Sequence, residues 1–170
     1  MEPIDVFKFC PRCSTSLKKE KDHLLICGKC GYEFYINAVP CNAVIIENEK
    51  GEIMLTKRKF DPAKAMWDWP GGFIDAGETL EESVKREIKE ELGVEVRVDK
   101  TIGTYIGRYL FQDINAYLFC VAVSAIIISG YLKVSDDITE YKYFPPQEIL
   151  NMEVAFEAIK QGIGDYLKSR

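Results

Sequence analysis

Three carboxylates lie close together in the stretch GETLEESVKREIKEELGV, which runs from Gly77 to Val94. At about 100° per residue on a helix, Glu87, Glu90 and Glu91 fall within an arc of roughly 100°. Like charges at this spacing repel each other. Water screens such a cluster on an ordinary solvated helix face, or a cation binds it, because hard divalent cations prefer carboxylate oxygens. The cluster by itself leaves both interpretations open.

A helix over residues 80–92 is predicted to position these carboxylates. Thr79 followed by Glu82 is typical of a capping box at a helix N-terminus. Gly93 suits the position just after the last turn. A four-residue repeat places one apolar stripe towards a core: Leu80, Val84, Ile88 and Leu92.

The full spacing around this helix resembles the signature of the Nudix hydrolases. Gly72 is followed after five residues by Glu78, and after seven more by REIKEELGV. With usage of about 5–7% per residue type, such a match arises by chance on the order of once in a billion starts. Pro70-Gly71 precedes the motif, as in the family, although Trp69 stands where Leu is usual.

The resemblance implies an α+β fold, the Nudix α/β/α sandwich, and hydrolysis of a pyrophosphate bond with Mg²⁺ or Mn²⁺. It implies that Glu87, Glu90 and Glu91 bind the metal, together with a backbone carbonyl at Gly72. Glu78 and Arg86 would not bind the metal themselves, and Arg86 would orient the acidic cluster. The expected catalytic set is therefore Glu91, Glu90, Glu87, Arg86 and Glu78.

Two C-x-x-C pairs near the N-terminus form a second motif. Cys10 and Cys13 are separated by 13 residues from Cys27 and Cys30. Four thiolates at this spacing suit tetrahedral zinc. Two disulfides or a redox motif are the alternatives, and disulfides require an oxidising compartment. The pattern resembles a zinc ribbon, so we predict a ribbon over residues 1–36 and a Nudix hydrolase domain over residues 37–170.

Composition limits the partners that the chain can have. It has 170 residues, 47% of them hydrophobic, and a net charge of −5. The acidic balance disfavours nucleic-acid binding through long-range charge, so nucleic acid enters only as capped RNA. The apolar run 116–128 is too short to span a bilayer, so no membrane partner is expected. No secretory segment is visible, which favours the cytoplasm. We allow for a homodimer.

Residues outside the signature are assigned to the substrate. The late-loop carboxylates Asp136, Asp137 and Glu140 are candidates for a further base, and the last two are favoured. Arg58 is the predicted phosphate contact, and Trp67 and Tyr109 are aromatic side chains that could stack on a base. The predicted substrate contacts are Arg58, Trp67, Tyr109, Asp137 and Glu140.

The substrate class is narrowed only in part. A zinc ribbon ahead of a Nudix domain resembles the NADH pyrophosphatases, but the proline array of that group is absent from residues 103–112. A nucleoside diphosphate linked to another moiety is predicted: ADP-ribose, a dinucleoside polyphosphate or NADH. The alternatives are a pyrophosphohydrolase that sanitises nucleoside triphosphates, and a non-catalytic nucleotide- or RNA-binding docking module. A non-catalytic module is expected to lose signature carboxylates, and none is lost.

Overall fold

A computed structural model of the chain describes residues 1–135 and 137–170. Asp136, one of the three late-loop carboxylates considered above, lies outside the described residues. Among the described helices, none has both the length and the apolar character needed to cross a bilayer.

The chain divides into two compact units. The first comprises Met1–Val39 and Arg108–Leu118, and the second comprises Pro40–Gly107 and Phe119–Arg170. The sequence did not indicate that residues 108–118 cluster with the N-terminal segment. The boundary between residues 36 and 37 stays a prediction.

The first unit is built around a small antiparallel sheet. Its strands are β1 (Leu17–Lys21), β2 (Leu24–Cys27) and β3 (Glu33–Tyr35), with β2 in the middle. A 3₁₀ turn, Pro3–Asp5, precedes them. Phe7 packs on Phe34 with ring centroids 4.8 Å apart.

The second unit contains two further three-stranded sheets, with strand orders β4-β8-β7 and β6-β5-β9. Three helices accompany them. The bounds are β4 Val39–Ile46, β5 Ile53–Arg58, β6 Trp67–Asp68, α1 Leu80–Leu92, β7 Val94–Phe111, β8 Ile114–Gly130, β9 Ile138–Phe144, α2 Pro146–Asn151 and α3 Glu157–Lys168.

Alternate residues of β4 face two separate hydrophobic cores. Val44 and Ile46 belong to the core that contains Ile88 of α1. Ala43 and Ile45 belong to the core that contains Ile163 of α3. Successive side chains of a strand point to opposite faces, so the strands are covered by α1 on one side and α3 on the other. This layering confirms the predicted α/β/α sandwich.

The helix that carries the acidic cluster has the predicted bounds and caps. The Thr79 hydroxyl accepts from the Glu82 N–H at 3.3 Å, and the Glu82 carboxylate accepts from the Thr79 N–H at 2.8 Å. Gly93 follows the last turn with φ of 72°, and its N–H donates to the Lys89 carbonyl. Both ends of α1 are therefore determined locally, by side chains next to it in the sequence.

Several element boundaries differ from the sequence prediction, and contacts in the structure explain two of them. Apolar runs predict separate strands over 94–98 and 102–111, but β7 is one continuous strand of 18 residues. Its polar middle is tolerated because Ser124 of β8 donates to Asp99 across the ladder at 3.3 Å. The apolar pattern predicts a last helix that begins at Val154, which is wrong by three residues, because α3 begins at Glu157. The Ala155 N–H donates to the Trp67 carbonyl at 2.8 Å, which keeps that segment out of the helix.

Two glycines with opposite roles test this account of the helices. Gly93→Ala should destabilise the protein by about 1 kcal/mol, because an alanine at positive φ is strained. Gly164→Ala should stabilise it by roughly 0.5–1 kcal/mol, since glycine is a poor residue inside a helix. A Cβ at Gly164 would meet nothing within 4 Å. Urea unfolding of both variants measures the difference, and equal effects would contradict the assignment.

Candidate functional site

Arg86 lies at the centre of the acidic cluster on α1. Its Nε and Nη2 donate to the two carboxylate oxygens of Glu78 at 2.6 and 2.9 Å. Its Nη1 donates to Glu87 at 2.7 Å and to Glu90 at 3.1 Å. The guanidinium also lowers the pKa of Glu78 to about 2. One cation of the protein thus holds three of the predicted carboxylates in place.

Glu91 occupies a different environment from the other carboxylates. Its residue surface is 9% exposed, and its Oε2 accepts from the Gly71 N–H at 3.0 Å. Burial raises the pKa of Glu91 to about 8, despite that hydrogen bond. The nearby charges of Glu87 and Asp68 raise it further. A buried carboxylate of this kind ionises readily only when a cation is close.

The turn that faces Glu91 is held against the strand and the helix. The carbonyls of Pro70 and Gly72 accept from the N–H groups of Val44 and Asn42, both at 2.8 Å. A Cβ on Gly72 would lie 2.5 to 2.6 Å from the carboxylate of Glu87. Only glycine therefore allows the backbone to approach the acidic face of α1 this closely. The predicted metal contact of the Gly72 carbonyl would use its second lone pair.

The donors at this site fit a hard divalent cation. Glu87, Glu90 and Glu91 supply carboxylate oxygens, and the turn supplies backbone carbonyls. Arg86 engages one oxygen of Glu87 and one of Glu90, so the second oxygen of each carboxylate is available to a metal ion. Glu78 would remain as the bidentate partner of Arg86.

The four N-terminal cysteines converge on one point. In the residues that the structure describes, they are the one group of three or more His, Cys, Asp or Glu side chains placed to hold a metal ion, and their sulfur atoms all lie within 4.8 Å of one another. The Cys10–Cys30 and Cys13–Cys27 sulfur pairs are 3.7 and 3.5 Å apart. Tetrahedral zinc with Zn–S bonds of about 2.3 Å places its sulfurs roughly 3.8 Å apart. The thiols are free, and their spacing fits zinc.

Backbone geometry supports the same assignment. The N–H groups of Ser14 and Gly31, one residue after each C-x-x-C pair, donate to the carbonyls of Cys10 and Cys27 at 2.8 and 2.9 Å. Both residues have positive φ, 57° and 70°. A hydrogen bond from the Thr15 backbone lowers the pKa of Cys13 to about 6, whereas burial and the neighbouring thiols raise the pKa of Cys30 to about 12. The thiols thus share protons in the metal-free cluster, and the geometry of the sulfur atoms carries the zinc assignment.

Arg58, predicted as a substrate contact, is engaged by protein groups. Its Nη1 donates to Asp68 at 2.8 Å and its Nε donates to the Pro62 carbonyl at 2.7 Å. The guanidinium also lies 5.3 Å from the ring centroid of Phe156. These contacts hold the loop between β5 and β6. The substrate role of Arg58 stays a prediction.

Two other predicted substrate contacts lie on the β6-β5-β9 sheet. Trp67 packs edge-on against Phe144, with ring centroids 4.9 Å apart. The Lys57 ammonium lies 5.4 Å from the Trp67 ring centroid and 3.6 Å from the Glu140 carboxylate. The Trp67 ring therefore has a cation next to it and a packing partner. Stacking on a base stays a prediction.

The two remaining predicted contacts are in different units. Asp137 is close enough to Glu91 for its charge to raise the pKa of that carboxyl, and its carbonyl accepts from the Lys59 N–H at 3.1 Å. Tyr109 lies on β7 in the segment that clusters with the first unit. The structure thus brings Asp137 to the acidic cluster, while the role of Tyr109 stays a prediction.

Asp68 is a site residue that the sequence reasoning missed. Its side chain is 15% exposed, and its oxygens accept from Arg58 and from the Trp69 N–H, both at 2.8 Å. Its charge contributes to the raised pKa of Glu91. The available signal was a lone carboxylate between Trp67 and Trp69, directly before the glycine turn.

Comparison with known proteins decides the family. The sequence matches the NUDIX domain over residues 39–162. The chain belongs to the Nudix family. This confirms the resemblance carried by the spacing of the acidic residues.

The Nudix relatives differ in how much of each chain is matched. The ADP-ribose pyrophosphatase of Methanocaldococcus jannaschii is 34% identical over 138 residues, which is 81% of this chain and 78% of that protein. The NAD-capped RNA hydrolase NudC of Haemophilus influenzae is 35% identical over 87 residues, which is 49% of this chain but only 32% of that protein. A solved NUDIX hydrolase from Nitrosomonas europaea superposes with a TM-score of 0.76, at 27% identity, over 96% of this chain and 92% of that one.

The buried carboxylate of the Nudix helix predicts a pH-dependent effect of Mg²⁺ on stability. The pKa of Glu91 is about 8 in the folded protein, above its ordinary value of 4.5. Its contribution to stability is complete below the ordinary value and is lost as pH rises through about 8. Mg²⁺ binds the ionised form, so the rise in Tm with Mg²⁺ should be larger at about pH 9 than at about pH 6.

Thermal unfolding in metal-free buffer, with and without Mg²⁺, measures this effect. Glu91→Gln should remove most of the pH dependence, whereas Glu81→Gln on the exposed face of the same helix should keep it. An Mg²⁺ effect that is equal at both pH values would contradict the role of Glu91.

The cysteine cluster predicts one structural zinc ion per chain, because four thiolates leave no open coordination position. Cys27→Ser should lose the metal and unfold the first unit while α1 stays formed, since zinc supplies folding free energy to small units. Cys120→Ser should keep the metal. Elemental analysis and amide hydrogen exchange test both statements. Protein with almost no zinc and with paired cysteines would contradict the assignment.

Proposed function

We propose that this chain is a Mg²⁺-dependent pyrophosphohydrolase that acts on a nucleoside diphosphate linked to another moiety. The observation that carries the proposal is the complete acidic cluster around Arg86. Glu78, Glu87 and Glu90 bind its guanidinium, and Glu91 is buried against the glycine turn. A protein that only bound nucleotides would have no need to maintain a buried carboxylate with a raised pKa.

The chemistry requires charge stabilisation more than covalent participation by the protein. When water attacks a pyrophosphate, negative charge accumulates on the non-bridging and leaving oxygens. A bound Mg²⁺ would neutralise this charge and lower the pKa of the attacking water. Glu87, Glu90 and Glu91 would hold the ion, with the Gly72 carbonyl. Arg86 keeps the carboxylates oriented through Glu78.

Burial and several nearby charges determine the protonation of Glu91. Burial raises its pKa, Glu87, Asp68 and Asp137 raise it further, and the Gly71 N–H lowers it. A bound Mg²⁺ would lower this pKa, so Glu91 would be an ionised metal ligand in the loaded site. The identity of the general base remains part of the proposal.

The share of each relative that aligns with this chain narrows the choice of substrate. The ADP-ribose pyrophosphatase relative aligns with most of this chain and most of its own length. The NAD-capped RNA hydrolase NudC of Haemophilus influenzae aligns over only 32% of its own length. ADP-ribose is therefore the first substrate to test. NADH and NAD-capped RNA come next.

We further propose that residues 1–36 form a zinc ribbon whose metal is structural, ahead of a hydrolase domain over residues 37–170. The convergence of four free thiols supports the zinc, and reduced cysteines are typical of the cytoplasm. The homodimer stays a prediction, which sedimentation velocity tests.

A substrate screen tests the activity. The wild-type protein is incubated with Mg²⁺ and, separately, with ADP-ribose, NADH, a diadenosine polyphosphate, a nucleoside triphosphate or NAD-capped RNA. Mass spectrometry of the products shows which bond is cleaved. Release of AMP and ribose 5-phosphate from ADP-ribose supports the proposal. Cleavage of triphosphates alone would favour a sanitising enzyme, and tight binding without any cleavage would favour a docking module.

Substitution of the acidic residues tests the mechanism. Glu90→Gln and Glu91→Gln should each lower turnover by at least about 10²-fold while the fold persists, because each removes a metal ligand. Glu81→Gln is the matched control, since among the described residues its carboxylate forms one ion pair, with exposed Lys85 on the same helix. Activity should require a divalent cation and should tolerate Mn²⁺. Unchanged turnover in both variants at saturating Mg²⁺ would reject the metal assignment.

A further inference from the structure

Asn42 is a buried polar residue on β4 that the proposed chemistry does not use. Its surface is 4% exposed. Its Nδ2 donates to the Ser83 hydroxyl at 2.9 Å, and its backbone N–H donates to the Gly72 carbonyl at 2.8 Å. Ser83 is fully buried on α1, and its hydroxyl donates to the Phe73 carbonyl at 3.1 Å. Asn42 and Ser83 therefore join a strand, the glycine turn and the acidic helix.

The place of this link in the fold gives it a specific consequence. Ser83 lies one helical turn before Glu87, and Glu87 is the residue that Gly72 approaches so closely. Apolar packing holds α1 on the sheet, but it is not directional. Hydrogen bonds are directional, so they determine where the turn sits along the helix. A displacement of the turn would move the Gly72 carbonyl away from the carboxylate of Glu87.

A second observation shows that this polar link carries a cost. Among the described residues, the Asn42 Oδ1 is one of two buried side-chain polar atoms without a hydrogen-bond partner. A Cβ on Gly71 would lie 2.7 Å from it, so the turn packs directly onto this oxygen. An unsatisfied buried acceptor costs roughly 1–3 kcal/mol. Stability alone would favour an apolar side chain at this position.

We infer that Asn42 and Ser83 are positioning residues for the metal-binding turn. They act through the backbone of Gly72 and Phe73, and they align a carbonyl of the turn with the carboxylates of α1. This inference rests on the proposed function, because it assumes that the turn and the helix share a cation. Groups that orient metal ligands typically change metal affinity by about 10- to 100-fold when they are removed.

Mn²⁺ binding, followed by electron paramagnetic resonance, tests the inference without any substrate. The variants are Ser83→Ala and the double variant Asn42→Leu/Ser83→Ala, in which both polar partners become apolar. Ser124→Ala is the matched control, because Ser124 is also buried and also donates one hydrogen bond, to Asp99 at 3.3 Å. The dissociation constant and the spectrum of bound Mn²⁺ are recorded together with Tm.

Both Ser83 variants should weaken Mn²⁺ binding by about 10-fold or more and change the spectrum of the bound ion. The Tm of the double variant should stay close to that of Ser124→Ala, since replacing both partners by apolar groups is nearly neutral for stability. Ser83→Ala alone should lower Tm further, because it leaves the buried Asn42 Nδ2 without its acceptor. Folded variants that bind Mn²⁺ within about twofold of the wild type would overturn the inference. So would unfolding of both variants while Ser124→Ala stays folded, because the link would then be structural. A wild-type protein that binds no Mn²⁺ would instead count against the proposed function.

Discussion

The contact between Glu91 and the glycine turn is the constraint on which the rest of the site depends. Burying a carboxylate costs free energy unless hydrogen bonds or a cation compensate for it. The protein supplies one N–H, from Gly71, and leaves the pKa of Glu91 near 8. The fold therefore has to hold the backbone of the turn against a helix at a distance that only glycine permits.

The charges around this contact are graded from the surface to the interior. Glu78 pairs bidentately with Arg86 near solvent, and its pKa falls to about 2. Glu87 lies between Glu78 and Glu91 in this series, because burial raises its pKa and Arg86 lowers it. Glu91 is buried, and its pKa is raised to about 8. Glutamates on α1 and just before it thus have different acidities, because their desolvation and their distance from a single guanidinium differ.

The first unit meets a different physical problem. A short segment with a three-stranded sheet has little apolar surface to bury, so it cannot supply enough folding free energy from a core alone. Four convergent thiols offer a metal site instead, and metal binding there would compensate for the small core. The cysteine spacing is sufficient to predict this site because the ligands of each pair come from one tight turn. The clustering of residues 108–118 with this unit had no signal in the sequence, since it depends on contacts between residues that are distant in the chain.

The sequence by itself determined the features that depend on neighbouring residues. The helix Leu80–Leu92, its capping box, its terminal glycine and the family all follow from local spacing. Only the tertiary structure showed that Arg58 is bound by Asp68 and that Asn42 reaches Ser83. It alone separated Glu91 from Glu90, which are adjacent in the chain but differ in burial. Spacing along a helix determines the direction in which each side chain points. Burial and pKa depend on which distant strand or turn covers that side chain.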